Sequence, residues 1–111
     1  MAMRLKHKYN AKPTEVDNIR FDSKLEAKYY RVLKLAQKSG ELLFFLRQVP
    51  LHLPGNVKYV CDFLEFWAPK NGEPGDVVFT DIKGMETATF KLKKKQVLEI
   101  YGIEINIVTK V

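Results

Sequence analysis

The stretch Val77-Val78-Phe79-Thr80-Asp81-Ile82-Lys83-Gly84 places an acid and an amine at the end of an apolar run. Its β-branched and aromatic residues predict a buried strand over about residues 76–83. Because successive strand residues point to opposite faces, Asp81 and Lys83 share one face and Ile82 lies on the other. Charged groups are costly to bury without partners, so the end of this strand is a candidate functional site.

Two acids upstream are candidates for the same site. Asp62 lies in an apolar segment, residues 57–67, that predicts a second strand. The turn-forming residues 70–75 that follow predict a hairpin, which makes the two strands neighbours. Glu26 lies near the start of a helix predicted over residues 23–39, with Ser23 as its N-cap.

The remaining segments complete the order α-β-β-β-α-β. Residues 42–53 predict a strand near the sheet edge, because Pro50 lacks a backbone N–H donor. A second helix is expected from Thr87 or Thr89 to Tyr101, and a last strand over residues 103–108. A strand, a helix and a further strand form a right-handed crossover with parallel strands. The predicted fold is therefore α+β, a four-stranded mixed sheet flanked by helices.

Composition narrows the class of protein. The chain has 111 residues, which fits one domain, and its net charge of +6 favours an anionic partner such as DNA. One cysteine, Cys61, excludes an intrachain disulfide and suits a reducing cytoplasm. With two histidines, a zinc site of Cys and His ligands is not expected. No apolar run is long enough to span a bilayer, so no membrane partner is expected.

Basic residues are concentrated in two places. Residues 1–20 predict a basic N-terminal arm with little regular structure, followed by a single domain over residues 21–111. Phosphate contacts are expected from the arm, and solvated side chains are the alternative. The same alternatives hold for the lysines of the second predicted helix. The candidate DNA contacts are Arg4, Lys6, Lys8, Lys12, Lys91 and Lys94.

The acids and the lysine suit phosphodiester hydrolysis. That reaction needs a positioned water, charge neutralisation at the phosphate and stabilisation of the leaving oxygen. Mg²⁺ held by two or three carboxylates supplies the last two, and Mn²⁺ is an alternative ion. The Lys83 ammonium, pointing the same way as Asp81, would orient the water or stabilise developing charge.

The order helix acid, strand aspartate and Asp-x-Lys resembles the PD-(D/E)XK nuclease superfamily and its restriction-endonuclease-like αβββαβ core. Three segments, residues 8–12, 21–27 and 81–84, resemble small phage proteins of that superfamily described as endonuclease-like or Holliday-junction-resolvase-like. The resemblance implies that Asp62 and Asp81 are metal ligands, that Glu26 completes the metal site and that Lys83 is the catalytic lysine. It also implies a phage enzyme acting on DNA in the bacterial cytoplasm.

Other interpretations remain open for these residues. Glu26 would close a capping box with Ser23, and Asp62 with Lys83 would form a structural ion pair across strands. For the whole chain, the favoured function is a metal-dependent DNA endonuclease acting on branched DNA such as a Holliday junction. A non-catalytic nucleic-acid-binding module and a small structural protein are the alternatives. A homodimer is expected, because cutting two strands needs two sites.

Overall fold

The computed structural model of the protein describes residues 14–111 and confirms the mixed α+β fold. Two short strands come first, followed by the predicted order of helices and strands. The elements are β1 (Thr14–Val16), β2 (Ile19–Phe21), α1 (Lys24–Ser39), β3 (Leu42–Leu53), β4 (Val57–Trp67), β5 (Val77–Ile82), α2 (Ala88–Tyr101) and β6 (Asn106–Val108).

Four strands form the main sheet, in the order β3-β4-β5-β6. β3, β4 and β5 pair antiparallel, whereas β5 and β6 pair parallel across the α2 connection. β3 lies at the sheet edge, as Pro50 predicts, and Pro50 pairs with Val60. The last strand is shorter than expected, since only residues 106–108 pair with β5.

Both helices begin and end where the sequence predicts. The Ser23 side chain accepts the N–H of Glu26 at the start of α1, and Thr87 caps α2 in the same way. Gly40 and Gly102 end them with φ angles of 87° and 69°, a left-handed conformation that glycine adopts without steric cost.

Two apolar clusters form the core, one beneath each helix. The cluster at α1 consists of Phe21, Ala27, Tyr30, Leu33, Leu42, Phe63 and Ile82. The cluster at α2 consists of Leu53, Tyr59, Cys61, Phe90, Val97 and Ile105. Val32 and Tyr101 recur at helical spacing with the apolar residues of their helices, but they are 43% and 44% exposed, because the buried face of each helix is narrower than its apolar face.

The segment before α1 differs from the expected arm over residues 14–21. β1 and β2 form an antiparallel hairpin, and Asp17 and Asn18 at its turn have φ angles of 52° and 63°. Such angles suit the tight turn of a hairpin, and Asn and Asp tolerate them better than most residues. The hairpin packs through Phe21 on the α1 cluster, so it belongs to the domain. The predicted contacts Arg4, Lys6, Lys8 and Lys12 lie outside the described residues.

One part of the sheet is not covered by the helices. Phe44, Leu46 and Val77 are 44%, 47% and 58% exposed. Their cross-strand partners include Phe66, whose ring stacks on Phe44 with centroids 4.4 Å apart. We call Phe44, Leu46, Phe66 and Val77 the exposed sheet surface. The two helices cover other parts of the sheet. Among the described residues, no helix has the length and apolar character needed to cross a membrane.

Gly75 gives a direct test of the packing between the loop and β4. A Cβ atom added there would overlap the backbone carbonyl of Trp67, beside the bond that the Trp67 N–H donates to the Asp76 carbonyl at 2.9 Å. We expect Gly75→Ala to lower the free energy of unfolding by about 1–3 kcal/mol in urea titrations. Gly84→Ala is the matched control, since a Cβ there meets open space. Equal stability of the two variants would contradict the packing.

Candidate functional site

Asp62 and Asp81 lie where β4 and β5 separate. The ladder between the strands ends at the pair Phe63–Thr80, one position before the two aspartates. Beyond that pair, the two carboxylates accept backbone hydrogen bonds in place of the carbonyl groups of the ladder. The Ile82 N–H donates to Asp62 Oδ2 at 2.9 Å, and the Asp62 N–H donates to Asp81 Oδ1 at 3.1 Å. Each aspartate thus accepts a backbone N–H from the opposite strand, and we call Asp62 and Asp81 the carboxylate pair.

Asp81 is the more buried member, with 1% of its surface exposed. The hydroxyl of Tyr59 donates to its second oxygen, Oδ2. Burial and this hydrogen bond raise the pKa of Tyr59 above its ordinary value, so the phenol stays a donor. Asp81 therefore has one oxygen fixed by the backbone and the other by Tyr59, which leaves its carboxylate little rotational freedom.

Lys83 pairs with Asp81 and not with Asp62, which differs from the expected cross-strand ion pair. Its Nζ lies 3.7 Å from Asp81 Oδ2 and 4.5 Å from the centre of the Phe90 ring. The Lys83 N–H donates to the carbonyl of Val108, which holds the backbone beside β6. With 30% of its side chain exposed, the amine remains accessible from solvent.

Glu26 faces the site from α1. Its backbone N–H uses the Ser23 cap, but the recorded contacts of its carboxylate are with β3. Glu26 Oε2 lies 3.8 Å from Arg47 Nη2 and 3.5 Å from Gln48 Nε2. Burial raises the pKa of Glu26, and the Arg47 charge opposes that rise. Glu26 therefore takes part in the cap with its backbone, while its side chain is available to the site.

Gln48 connects the helix acid to the strand acid. Its Nε2 lies 3.5 Å from Glu26 Oε2 and also 3.5 Å from Asp62 Oδ1. The backbone φ of Gln48 is 53°, which is uncommon for a residue other than glycine, and pairing of β3 with β4 skips this position. The amide of Gln48 thus separates Glu26 from the carboxylate pair.

Burial and the neighbouring Asp81 affect the protonation of Asp62. Burial, together with its hydrogen bond to Asp81, raises the pKa of Asp62 to about 7. A second negative charge nearby disfavours ionisation of Asp62, and a bound cation would oppose that effect. The two carboxylates, held side by side by the backbone, form a place where a cation would be stabilised.

The donor set suits Mg²⁺ better than other metals. Among residues 14–111, no group of three His, Cys, Asp or Glu side chains is arranged to hold an ion. Asp62 and Asp81 nevertheless offer two carboxylates, and Mg²⁺ commonly takes one or two carboxylates while keeping several waters. The carboxylate pair therefore fits such an ion, whereas Glu26, behind Gln48, is not in direct contact with it.

Lys91 and Lys94 lie apart from these acids. They line a surface cavity of about 370 Å³ on α2, together with Lys95, the acids Glu86 and Glu104, and the apolar residues Leu98, Ile103 and Ile105. Glu65, which the sequence places on the other strand face from Asp62, is buried and accepts from Tyr29 Oη at 2.6 Å and Trp67 Nε1 at 3.1 Å. Glu65 is satisfied within the core and does not belong to the site.

Three residues of the site were not predicted: Arg47, Gln48 and Tyr59. Gln48 could have been found from the hairpin alone, because a turn at residues 54–56 places position 48 opposite Asp62. Tyr59 and Arg47 gave no such signal. Their roles depend on how the strands twist after they separate, which local sequence does not specify.

The raised pKa of Asp62 predicts how stability depends on pH without metal. Between about pH 4 and 7 the folded state binds more protons than the unfolded state, so the free energy of unfolding falls as pH rises. Asp62→Asn should remove this fall, on the order of 1–3 kcal/mol after solvent screening. Urea titrations in EDTA at pH 5 and 8 measure it.

Asp76→Asn is the control for this experiment, since Asp76 is exposed in the loop before β5. It should keep the pH dependence of the wild type. A wild-type stability that does not fall between pH 5 and 8 would contradict the close contact of the two aspartates.

Sequence comparison assigns the chain to a family. No curated protein matches the chain. A family model with the description "Protein of unknown function (DUF1064)" matches residues 6–110, a range that contains all the described elements and every residue of the site. Because this match extends over nearly the whole sequence, the chain belongs to the DUF1064 family.

Proposed function

We propose that the protein is a Mg²⁺-dependent DNA endonuclease that hydrolyses phosphodiester bonds, with Mn²⁺ as an alternative ion. The observation that carries the proposal is the carboxylate pair at the point where β4 and β5 separate, with the Lys83 amine 3.7 Å from Asp81. Two fixed carboxylates and an accessible amine are groups that can serve metal-assisted phosphodiester hydrolysis. The resemblance to PD-(D/E)XK nucleases supports the same assignment.

Each side chain has a separate role in this proposal. Asp62 and Asp81 would hold the ion, because backbone N–H bonds already orient their oxygens. Mg²⁺, when bound, would neutralise phosphate charge and make a water more acidic. Lys83 would orient that water or stabilise developing negative charge, and the Phe90 ring limits where its amine can lie. Glu26 would complete the site through Gln48.

DNA is the proposed substrate because of charge and resemblance. The chain carries a net charge of +6, and the surface of α2 presents Lys91 and Lys94. A cationic surface favours an anionic polymer whatever its sequence. The resemblance to resolvase-like phage proteins points to branched DNA such as a Holliday junction, processed in the cytoplasm of a bacterial host. The buried, reduced thiol of Cys61 is compatible with that compartment.

A non-catalytic DNA-binding module is the second candidate function. Its support is that no three acidic side chains among the described residues form a ready metal cluster. Such a module would keep the basic surface and would not need the carboxylate pair.

Cleavage assays distinguish the two functions. Linear and four-way DNA are incubated with the protein in Mg²⁺ or in EDTA. We expect cleavage in Mg²⁺ alone, faster on four-way DNA. Asp81→Asn and Lys83→Met should each lower the rate by about 10²–10³, since each removes an electrostatic contact with the reacting groups. Met retains the apolar stem of Lys83 beside Phe90.

Lys70→Met is the control, because Lys70 is exposed in the loop between β4 and β5. It should cut DNA at the wild-type rate. Binding without cleavage by the wild type would support the module, and full activity of Asp81→Asn would contradict the site.

We further propose that the chain forms a homodimer through the exposed sheet surface. A second copy is the favoured occupant because the four residues are apolar, so pairing them with the same residues of another chain of net charge +6 brings no like charges of this set together. A twofold dimer also provides two sites, as cutting both strands requires. Phe44 and Leu46 lie on the edge strand and remain accessible to a partner.

The dimer is tested by light scattering. The double variant Phe44→Glu, Leu46→Glu should be a monomer at concentrations where the wild type is a dimer, because like charges would face each other across the interface. Leu92→Glu is the control, as Leu92 is 59% exposed on α2. A wild-type monomer would refute the dimer without affecting the nuclease assignment.

A further inference from the structure

Arg47 has an unused hydrogen-bond donor beside the carboxylate site. Its Nε is buried, and it is the one buried side-chain nitrogen or oxygen among residues 14–111 that lacks a partner. Buried donors are nearly always paired, so an unpaired one requires an explanation. The rest of the side chain is 24% exposed, which leaves part of the guanidinium open to solvent.

The surroundings of Arg47 hold the guanidinium in place without satisfying it. Its Cζ lies 4.7 Å from the centre of the Phe21 ring. Its Nη2 is 3.8 Å from Glu26 Oε2, a distance that allows charge attraction but is too long for a hydrogen bond. Guanidinium has five N–H groups in a planar fork, which suits two oxygens of one phosphate. The guanidinium of Arg47 is therefore held in position while part of its hydrogen-bonding capacity remains unused.

Lys83 has a similar arrangement on the other side of the site. Its amine rests on the Phe90 ring and lies 3.7 Å from Asp81, while Arg47 rests on Phe21 and lies near Glu26. The charges of both cations, Arg47 and Lys83, act on Glu26, so they belong to one electrostatic environment. Arg47 and Lys83 each lie against an aromatic ring and beside a buried acid. Together they form a positively charged surface on which the phosphate backbone of DNA can lie.

We propose that Arg47 binds a phosphate of the DNA backbone through two parallel N–H···O bonds, on the Glu26 side of the carboxylate pair. This inference rests on the proposed function and adds to it the residue that positions the DNA strand next to the cleaved bond. The two donors are the terminal nitrogens, Nη1 and Nη2, because Nε is buried and cannot reach a phosphate outside the protein. Glu26 keeps the guanidinium oriented until DNA arrives.

Binding measured without cleavage tests this role. Fluorescein-labelled duplex DNA is titrated with protein in EDTA, and anisotropy gives the affinity at several salt concentrations. Arg47→Met should lower affinity roughly tenfold or more, since it removes a charge-assisted contact. It should also reduce the salt slope by about 0.9, the value for one phosphate contact. Arg31→Met, an exposed arginine on α1, is the control and should change neither quantity.

Arg47→Lys separates geometry from charge. A lysine keeps the positive charge but cannot bind two oxygens as a planar fork. It should therefore retain the wild-type salt slope and still lose part of the affinity. Thermal melting of each variant confirms folding, and if Arg47→Met does not fold, Arg47→Lys alone decides between a bidentate contact and a point charge.

A second measurement identifies the phosphate. Duplexes with one neutral methylphosphonate linkage at successive positions are titrated with the wild type and with Arg47→Met. At the contacted position the two proteins should bind equally, because the wild type has lost its partner. If Arg47→Met binds every duplex of the series more weakly than the wild type does, the proposal is overturned.

The remaining outcomes separate this inference from the nuclease assignment. If Arg47→Met matches the wild type in affinity and salt slope, or if the wild type does not bind DNA, Arg47 has no phosphate role. If Arg47→Met binds weakly but the wild type never cuts DNA in Mg²⁺, the phosphate contact stands and the nuclease function fails.

Discussion

The site depends on the two hydrogen bonds by which Asp62 and Asp81 replace the ladder between β4 and β5. A pair of strands that separates inside a sheet leaves backbone N–H groups without partners, which is costly in a buried place. Here the carboxylates accept those N–H groups, at 2.9 and 3.1 Å. The same bonds satisfy the backbone and orient the acids. Removing either carboxylate would therefore affect both the architecture and the chemistry of this region.

The rest of the site is arranged around this separation. Once the strands diverge, Tyr59 reaches Asp81 from β4, and Lys83 reaches the same oxygen from the residue after β5. On the other side, α1 brings Glu26 towards Gln48 of β3. The acids come from three elements that are distant in sequence, and only the folded sheet brings them near each other. Stability and site geometry are thus coupled through the same contacts.

Sequence predicted the elements because their signals are local. Caps at Ser23 and Thr87 and stops at Gly40 and Gly102 set the helices, and the Asp81-x-Lys83 spacing placed two groups on one side of a strand. The hairpin at residues 14–21 was missed because its strands have 3 residues each, too few for an alternating pattern to mark them beside the turn at Asp17 and Asn18. The ion-pair partner of Lys83 and the contacts of Arg47 depend on strand twist and on the side-chain conformations of the folded protein. Neither is encoded in residue spacing.

The backbone of Gln48 has a consequence for which sequences this fold accepts. A φ of 53° within a strand is unfavourable for β-branched residues, although these are otherwise preferred in strands. Position 48 should therefore select against valine, isoleucine and threonine in libraries screened only for folding. Glycine or asparagine there would relieve the backbone while giving up the long amide that reaches both acids. Glutamine is neither the best strand former nor the best residue for a positive φ. Its presence at position 48 is explained by the contacts of its amide with Glu26 and Asp62.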